Sequence, residues 1–469
     1  MGLHQQLVRN VLYPLDRWRS GDGRELHYLR EFTASQFLAA DELAELQRRR
    51  LSALIEHAYW QCPFYRERFD RAGLVPSDIR TPADLIALPV LEKRDIQERR
   101  DDLVAQNWPR ADLIPNQTGG STGSPLSFFL SRDRLNARTA ATLRHNRWAG
   151  WDVGDKVALL WGAPRDVPAN HWKNRIRNWL LDRQLFLDTG HVTEQRLAEF
   201  HTALQRFRPK IMLAYAGSIV LFARYLKARN LPAYQPTAIV TSAEVLEPAQ
   251  RTMVEETFGC PVFNRYGCRE VSVIASECPQ HQGLHTMAEG LYVEVVRGAE
   301  PAAAGQIGSI LVTDLLNHAM PLIRYRIGDT GIWAAGDCPC GRGLPRLESV
   351  AGRVTDFLVG ADGRLVSGVF LATYLVAQRP SLGQVQIEQE KAGQVLYRIR
   401  PGAGFQNGAD IDYLHLLTRR YLGDETVVDW EEVPELKAEP SGKFLFSRSA
   451  AAVDYLAAPA APASRPVLR

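Results

Sequence analysis

The chain has 469 residues with 56 basic and 53 acidic side chains, a formal net charge of +3. Because one hydrophobic core rarely grows beyond about 300 residues, this length predicts two or three domains. Charges of both signs are scattered along the chain, which predicts no electrostatic field that would attract nucleic acid or anionic membranes. A small molecule is therefore favoured over a polymer as the binding partner.

Neither a signal peptide nor a membrane span is predicted. Residues 1–30 place Arg9, Asp16, Arg17 and Arg19 among the apolar side chains, so the apolar centre of a signal peptide is missing. No uncharged apolar run reaches the length of about 18 residues that a membrane helix requires. The 6 cysteines are too few for a disulfide scaffold in a chain of this length. We expect a cytoplasmic protein with reduced thiols, some of them bound to metal.

The first predicted element is a helix over residues 41–60, where leucine and isoleucine recur at helical spacing. This helix should end near Cys62 and Pro63. The aromatic-rich segment 57–65 at that end is interpreted as packing of the first helices onto a sheet, because aromatic side chains dominate protein cores. No chemistry is assigned to it.

Residues 116–126 form a loop rich in glycine and hydroxyl side chains. Glycines let backbone N–H groups approach an anion and hydroxyls add donors, so we interpret the loop as a phosphate cradle, with a simple linker as the alternative. A Walker loop is disfavoured, because no lysine follows the last glycine and the residues after Leu126 alternate as in a strand. The candidate phosphate-binding residues are Thr118, Gly119, Gly120, Ser121, Thr122 and Gly123.

The middle of the chain alternates strands and helices. Apolar strands are predicted at 156–161, 211–214 and 238–241, with helices at 194–207 and ending at residue 228. This alternation predicts a mostly parallel sheet, in which ligands bind beyond the carboxyl ends of the strands. Those ends carry Trp161, Tyr215, Ser242, Ala243 and Glu244, and core packing is an equal alternative for the two aromatic residues.

Two acidic residues follow in the second half of this region. Glu270, after a short predicted strand at 261–263, suits Mg²⁺, which is held by one or two carboxylates together with phosphate oxygens. An ion pair with Arg265 or Arg269 is the alternative. Alternation at 292–296 and 307–313 predicts antiparallel, barrel-like strands. Asp329 beyond them suits the two hydroxyls of a ribose, and an ordinary turn aspartate is the alternative.

Two compact sets of candidate metal ligands lie between these motifs. Cys278 and His281 form a C-x-x-H pair, Cys338 and Cys340 a Cys-Pro-Cys pair, and His285 is a further nitrogen ligand in reserve. Four sulfur and nitrogen ligands suit a tetrahedral structural Zn²⁺ site, and reduced cysteines in a Pro/Gly loop are the alternative. A catalytic zinc is disfavoured, because four protein ligands leave no open position.

The pattern of elements gives an α/β fold class with a domain boundary near residues 352–356. Residues 1–353 are predicted to form a large N-terminal domain of mostly parallel sheets with helices plus a barrel-like β region. Residues 354–456, with a hairpin at 385–399, a helix at 411–421 and a strand at 426–430, are predicted to form a small mobile α/β domain that carries Lys443 on a turn. Residues 457–469 lack periodicity and are predicted to be disordered.

The order of these motifs resembles that of the adenylate-forming superfamily of acyl-CoA synthetases over nearly the whole chain. The cradle is followed by Tyr-Gly-x-x-Glu, then Tyr-Arg-x-Gly-Asp, then Gly-Arg and finally Pro-Ser-Gly-Lys. The cradle and the segments 62–65 and 320–326 are most similar to the phenylacetate-CoA ligase branch and its relatives in capsule and exopolysaccharide gene clusters.

The resemblance implies a reaction in two steps. A carboxylate attacks the α-phosphate of ATP to give an acyl-adenylate and pyrophosphate, and a thiol, that of CoA, then takes the acyl group. Residues 118–123 would hold the departing phosphates and Glu270 would hold the Mg²⁺. Because such transfers ask a protein mainly for positioning and charge stabilisation, no protein nucleophile is required.

The same resemblance assigns the nucleotide-binding and catalytic residues. Ser242, Ala243 and Glu244 match the stretch that lies along adenine, and Tyr266, which precedes Gly267, would stack on it. Ribose would be bound by Asp329 and Arg353. Lys443 would bridge the reacting carboxylate and the α-phosphate when the small domain closes.

The sequence departs from the family at two positions. Ser124 stands where a lysine is usual after the last glycine of the cradle, which removes one charge from the pyrophosphate site. The hinge, residues 354–357, lacks the usual paired acidic residues and Arg-Gly turn, so the acceptor stays open between CoA, a carrier-protein thiol, an amine and a sugar.

A small carboxylic acid is the expected substrate, no nucleic acid partner is expected, and a homodimer stays open as an assembly state. An alternative of another class is a non-catalytic, zinc-stabilised binding protein. The presence of Lys443, Glu270 and Asp329 together counts against it.

Overall fold

The computed structural model describes residues 2–118, 126–161, 172–189, 194–353, 357–368, 371–372, 375, 378–436 and 446–457. The candidate residues Gly119, Gly120, Ser121, Thr122, Gly123 and Lys443 lie outside these ranges, as do residues 354–356 of the hinge and the tail 458–469. Within these ranges no helix combines the length and the apolar content that crossing a membrane requires.

The first hundred residues are helical. The helix predicted at 41–60 is confirmed, and Cys62, with φ −115° and ψ 109°, ends it before Pro63 starts the next helix at its first turn. The segments are α1 (Leu3–Leu7), a π-helical turn (Val8–Leu12), α2 (Tyr13–Arg19), α3 (Arg24–Ser35), α4 (Ala40–Gln61), α5 (Pro63–Ala72) and α6 (Lys93–Leu103), with short 3-10 turns at Pro76–Asp78, Pro82–Ala87 and Arg110–Asp112.

The candidate phosphate loop joins two strands, as the alternation predicted. Strands β1 (Ile114–Gln117) and β2 (Ser127–Leu130) pair antiparallel, with Gln117 opposite Ser127. The long helix α7 (Arg132–Trp148) follows at once. Its N-cap is Ser131, whose Oγ accepts a 3.0 Å hydrogen bond from the backbone N of Arg134.

Strands and helices then alternate and build a parallel half-sheet. Five strands lie side by side in parallel, and Phe222 of a covering helix packs in one cluster with Leu160 and Ile239 of the strands. The elements are β3 (Val157–Trp161), α8 (Trp172–Arg177), a π-helical turn (Asn178–Asp182), β4 (Gln184–Asp188), α9 (Glu194–Phe207), β5 (Ile211–Tyr215), α10 (Ala216–Ala228), β6 (Ala238–Ser242) and α11 (Pro248–Phe258).

The same sheet continues antiparallel beyond β7, and together the two halves hold twelve strands. The predicted strand at 261–263 is longer in the structure, because β7 pairs with β8 through Cys268 and so carries Tyr266 and Gly267 within it. The strands are β7 (Val262–Cys268), β8 (Ser272–Glu277), β9 (Leu284–Thr286), β10 (Leu291–Arg297), β11 (Glu300–Pro301), β12 (Ile307–Asp314), β13 (Tyr325–Trp333) and β14 (Arg346–Arg353).

The residues after 356 have their own sheet and core. A four-stranded sheet in the order β19, β18, β17, β20 packs Tyr397 and Ile399 against Leu414 of a helix, and the α/β fold class is confirmed. The elements are β15 (Phe357–Val359), β16 (Leu365–Ser367), a 3-10 turn (Pro380–Leu382), β17 (Gln384–Gln389), β18 (Gln394–Arg400), α12 (Asn407–Leu422), β19 (Val427–Glu432), β20 (Ser447–Ser449) and α13 (Ala450–Ala457).

Candidate functional site

The carboxyl ends of three parallel strands define one edge of the sheet. Strands β3, β5 and β6 end at Trp161, Tyr215 and Ser242. The rings of Trp161 and Tyr215 contact each other, with centroids 4.1 Å apart and planes inclined by 37°. Because ligands of such sheets bind at this edge, the two rings form one wall of the candidate site.

The turn after β6 is held by a backbone-to-carboxylate contact. Ala243 has a φ of 69°, a conformation that residues other than glycine adopt rarely. Oε2 of Glu244 accepts a 2.6 Å hydrogen bond from the backbone N of Gly217 at the start of α10. A Cβ added at Gly217 would lie 2.9 Å from that oxygen, so a larger residue there would make the Glu244 carboxylate shift. The carboxylate of Glu244 is thus engaged in fixing the turn.

Tyr266 and Asp329 meet across the site. The hydroxyl of Tyr266 on β7 donates a 2.8 Å hydrogen bond to Oδ2 of Asp329 on β13. Burial, and then the charge of Asp329, raise the pKa of Tyr266 well above its usual value, so the phenol stays a donor. Asp329 is paired in the sheet with Arg353 of β14. The three residues predicted to hold a nucleoside are therefore neighbours.

Glu270 lies beside this pair in a buried position. Its side chain is 8% exposed, and Oε1 accepts a 3.0 Å hydrogen bond from the hydroxyl of Tyr325. Burial and then Glu270 raise the pKa of the neighbouring Cys268 thiol, so this thiol is a weak nucleophile. Tyr325 received no role in the sequence analysis, although it is the first residue of the Tyr-Arg-x-Gly-Asp motif that contains Asp329.

Arg265, one of the two alternative ion-pair partners of Glu270, is hydrogen-bonded to a residue of another element. Its Nη2 donates a 2.5 Å hydrogen bond to Oδ1 of Asn146 on α7. Burial lowers the pKa of Arg265 to about 10. The backbone oxygen of Arg269 accepts from the guanidinium of Arg138. The local chain around Glu270 is thus fixed from the α7 side.

Thr118 closes the base of the candidate phosphate loop. Its backbone N donates a 2.9 Å hydrogen bond to the oxygen of Leu126, and its Oγ1 accepts one of 2.9 Å from the backbone N of Leu126. These two bonds extend the β1 to β2 ladder by one step. The loop residues 119–125 themselves lie outside the described residues.

Four of the five candidate zinc ligands meet in one buried cluster, which we call the Cys/His cluster: Cys278, His285, Cys338 and Cys340. One potential ligand atom from each lies within 4.8 Å of every other. Sγ of Cys278 is 3.7 Å from Sγ of Cys338, and Sγ of Cys340 is 3.3 Å from Nε2 of His285. Nδ1 of His285 is 3.1 Å from the oxygen of Leu344, which leaves Nε2 facing the sulfur atoms.

His281 lies away from this cluster. Its Nδ1 is 3.1 Å from Oε2 of Glu277, and its ring centroid is 4.6 Å from that of Phe263. Oε1 of Glu277 also accepts from Arg251 at 2.6 Å. His281 therefore belongs to an ion-pair network beside β7 and β8, and His285 supplies the nitrogen of the Cys/His cluster.

The chain was compared with protein families, curated proteins and solved structures. No protein-family model matches it. It is 24% identical to Protein CapK of Staphylococcus aureus over 90% of this chain and 92% of that protein. It is 27% identical to the phenylacetate-coenzyme A ligase of Thermus thermophilus over 69% of this chain and 73% of that enzyme.

Its structure is similar to the crystal structure of 2-hydroxyisobutyryl-CoA ligase in the postadenylation state with 2-HIB-AMP. The TM-score is 0.69 at 22% identity, over 89% of this chain and 91% of the other. The chain thus shares the fold of an adenylate-forming enzyme. The resemblance to the phenylacetate-CoA ligase branch that the motifs indicated is confirmed.

Proposed function

We propose that this protein is an AMP-forming acid-CoA ligase, because its chain shares this fold and resembles the phenylacetate-CoA ligase branch in sequence. In the first step an oxygen of the carboxylate substrate bonds to the α-phosphorus of ATP, and pyrophosphate leaves. In the second step the CoA thiol bonds to the acyl carbon, its proton is lost, and AMP leaves with the electron pair of the broken bond.

The observation that carries this proposal is the hydrogen bond between Tyr266 and Asp329 at the sheet edge. A carboxylate accepts several hydrogen bonds, so the carboxylate that this phenol contacts can also accept from a ribose hydroxyl. Arg353 is the strand partner of Asp329 and would share in binding the ribose. The turn from Ser242 to Glu244, which the contact with Gly217 holds, would lie along the adenine beside Tyr266 and Gly267.

Glu270 is the proposed Mg²⁺ ligand. The phenol of Tyr325 orients the carboxylate through Oε1, and a carboxylate held in this way fits an ion that binds through one carboxylate and phosphate oxygens. When bound, Mg²⁺ would neutralise charge on the departing phosphates. Residues 118–123 would supply donors to those phosphates, and Lys443 would stabilise the charge that develops at the α-phosphate.

The Cys/His cluster is the proposed structural Zn²⁺ site. At a zinc–sulfur distance of about 2.3 Å, tetrahedral geometry places two sulfur ligands about 3.8 Å apart. The observed 3.7 Å between Cys278 and Cys338 fits that value. Orientation of His285 through Nδ1 and a backbone oxygen is the usual support for a metal-binding imidazole. Four protein ligands suit a structural role.

The proposed domains are residues 1–353 for adenylation and 354–456 for the mobile lid. The separate core of Tyr397, Ile399 and Leu414 and the separate four-stranded sheet support this division. Tyr455 touches the larger part, since the Arg297 guanidinium lies 5.2 Å from its ring centroid. Ile307 packs against a cluster that contains Phe357 and Ala452. Both contacts would change if residues 354–456 rotate between the two half-reactions. A cytoplasmic location and a homodimer stay predictions.

Transfer to a carrier-protein thiol, an amine or a sugar is the second candidate. The alignment with the phenylacetate-coenzyme A ligase covers 69% of this chain, whereas that with CapK covers 90%. The hinge sequence also departs from the family pattern. The hinge departure concerns the acceptor step and leaves the adenylation step unaffected.

The test is pyrophosphate release with ATP, Mg²⁺ and a panel of aryl and short-chain acids, each assayed with and without CoA. We expect one acid class to release pyrophosphate and CoA to raise turnover with formation of the thioester. Adenylation of an acid without a thioester would favour the second candidate, and each carrier or amine would then be tested as acceptor. Absence of pyrophosphate release with every acid by zinc-replete, folded protein would contradict the proposal.

A further inference from the structure

The N-terminal helix carries an apolar stripe on its outer side. The segments α1, the π-helical turn and α2 form one continuous helix, since the residues at both junctions keep right-handed helical angles. Five apolar side chains on it are strongly exposed: Leu3 (87%), Leu7 (48%), Val11 (51%), Leu15 (48%) and Trp18 (74%). Residues four apart in an α-helix are rotated by slightly more than one full turn, so a stripe with this spacing moves gradually around the helix. The π-helical turn holds more residues per turn and rotates the stripe back, so the stripe stays on one side.

The inner side of this helix is fixed to the body of the protein. Val8 is fully buried in the main core, and Leu12 and Tyr13 pack against it. Gly154, at φ 90°, approaches the helix so closely that a Cβ there would lie 2.7 Å from the oxygen of Gln5. The outward direction of the stripe is therefore set by the fold.

A second helix extends the apolar surface. It consists of α8 and the π-helical turn after it, and it exposes Ile176 (48%) and Trp179 (71%). His4 joins the two helices, with Nε2 3.2 Å from the oxygen of Leu180 and its ring centroid 6.1 Å from that of Trp179. Together the stripe and these two residues form what we call the outer apolar face.

The basic side chains of the two helices are partly neutralised by neighbouring acids. Arg9 pairs with Asp152, Arg17 with Asp16, Asp22 and Glu25, and Arg177 with Asp16 and Asp182. Arg19 and Arg175 are exposed and form no ion pair with any residue that the structure describes. These two arginines therefore provide positive charge beside the outer apolar face.

We propose that the outer apolar face binds the surface of an anionic lipid bilayer, lying in its interface without crossing it. An amphipathic helix with leucine and tryptophan on one side and basic residues beside them is suited to this position. Tryptophan in particular prefers the boundary between headgroups and acyl chains. Arginine side chains at the rim would meet lipid phosphates, and each adds attraction to an anionic surface.

The alternative is that a second copy of the chain binds the outer apolar face and forms a dimer. A two-fold dimer through this face would bring Arg19 and Arg175 of both protomers to one interface. Like charges brought together in this way oppose association. An anionic bilayer supplies the complementary charge, and for this reason we favour the bilayer.

The test is flotation of purified full-length protein with phosphatidylcholine vesicles that contain about 30% phosphatidylglycerol, against vesicles of phosphatidylcholine alone. We expect binding to the anionic vesicles that weakens with salt, since charges at the surface are screened. The variant Trp18→Ala with Trp179→Ala should reduce the bound fraction by about tenfold or more, because both rings lose their burial in the interface. Arg19→Gln with Arg175→Gln should remove the preference for anionic vesicles.

The matched control is Leu416→Ala, which removes an apolar side chain of similar exposure (71%) on α12, outside the face. It should bind vesicles as the unchanged protein does. Equal binding of all variants, or no binding to anionic vesicles by folded protein, would overturn the proposal. So would a dimer in light scattering that the two-tryptophan variant dissociates without any vesicle binding.

Discussion

The hydroxyl of Tyr266 donates a 2.8 Å hydrogen bond to Oδ2 of Asp329, from one strand of the twelve-stranded sheet to another 63 positions later in the chain. In the proposed function this carboxylate also accepts a hydrogen bond from a ribose hydroxyl. Asp329→Asn removes the charge and one acceptor, and we expect the KM for ATP to rise about tenfold or more, since hydrogen bonds to charged groups contribute roughly 1.5–3 kcal/mol. The measurement is pyrophosphate exchange against ATP concentration.

Two further variants sharpen that test. Tyr266→Phe keeps the ring and should have a smaller effect on the same KM, because only the hydroxyl that orients Asp329 is lost. Tyr292→Phe removes a hydroxyl from a partly buried tyrosine on β10 and serves as the control. An unchanged KM in folded Asp329→Asn protein would remove Asp329 from the nucleotide site.

Lys443→Ala should slow adenylation by on the order of 10² to 10³ while ATP still binds, because one preorganised charge at the developing transition state is lost. Single-turnover formation of the acyl-adenylate measures the first quantity and equilibrium binding of ATP the second. Lys391→Ala, an exposed lysine on the turn after β17, is the matched control and should be neutral. Equal adenylation in both variants would show that Lys443 has no part in the chemistry.

Purified protein should contain about one zinc per chain. Replacing Cys338 and Cys340 by serine should lower the zinc content and the melting temperature together, because the ligands and the fold stabilise each other. The single variant Cys260→Ser changes a buried cysteine outside the Cys/His cluster and should keep the metal. A chain free of zinc when purified without chelators would refute the metal assignment.

The two half-reactions should separate when the hinge is stiffened. Thr355→Pro restricts φ at 355 and the conformation of residue 354, so a domain rotation at this point is hindered. We expect adenylation to stay within roughly tenfold and acyl transfer to fall further, since only one conformer is affected. Thr355→Ala replaces the same side chain without the backbone restriction. Equal loss of both steps in folded Thr355→Pro protein would argue against a hinge at this position.

The pair Asp16 and Arg177 should give a pH-dependent contribution to stability. The hydrogen bond from Arg177, opposed by burial and assisted by Arg17, lowers the pKa of Asp16 to about 2 from its usual value of 3.8. Because the folded pKa is below the unfolded one, the stabilisation is present above about pH 4 and is lost as the pH falls towards 2. Asp16→Asn should thus lower the melting temperature at pH 6 and cost less at pH 3. A deficit that is the same at both pH values would contradict this assignment.

The periodicity of the sequence was sufficient to predict most helices and strands, but it did not predict which strands pair with each other. Helix α4, the parallel strands and the C-terminal hairpin follow from local spacing, and the structure confirms them. Strand β7 is longer than its apolar run because pairing with β8 extends it over polar residues up to Cys268. That pairing depends on strand register, which a short apolar run does not specify.

The candidate site also depends on contacts between distant residues that local spacing does not predict. Spacing favoured His281 of the C-x-x-H pair and held His285 in reserve, whereas the structure places His285 in the Cys/His cluster. Strand β9 sets His285 opposite Arg346 of β14, just after the Cys338 and Cys340 turn. The role of Tyr325 in orienting Glu270 joins residues 55 positions apart and has no local signal. The outer apolar face was also not predicted. Which side of the N-terminal helix is exposed depends on the side that Val8 and the contact with Gly154 hold against the core.

The close approach of the Cys338 to Leu344 segment to the first helices sets an order of folding. The backbone N of Gly343 donates a 3.0 Å hydrogen bond to the oxygen of Gln36, and a Cβ at Gly343 would overlap the oxygen of Leu38. Since closing so long a loop is entropically costly, we expect this contact to form late in folding. During synthesis the last two cysteines of the cluster leave the ribosome some 300 residues after Gln36. Capture of a metal by all four ligands would then mark a chain whose N-terminal helices and central sheet have already come together.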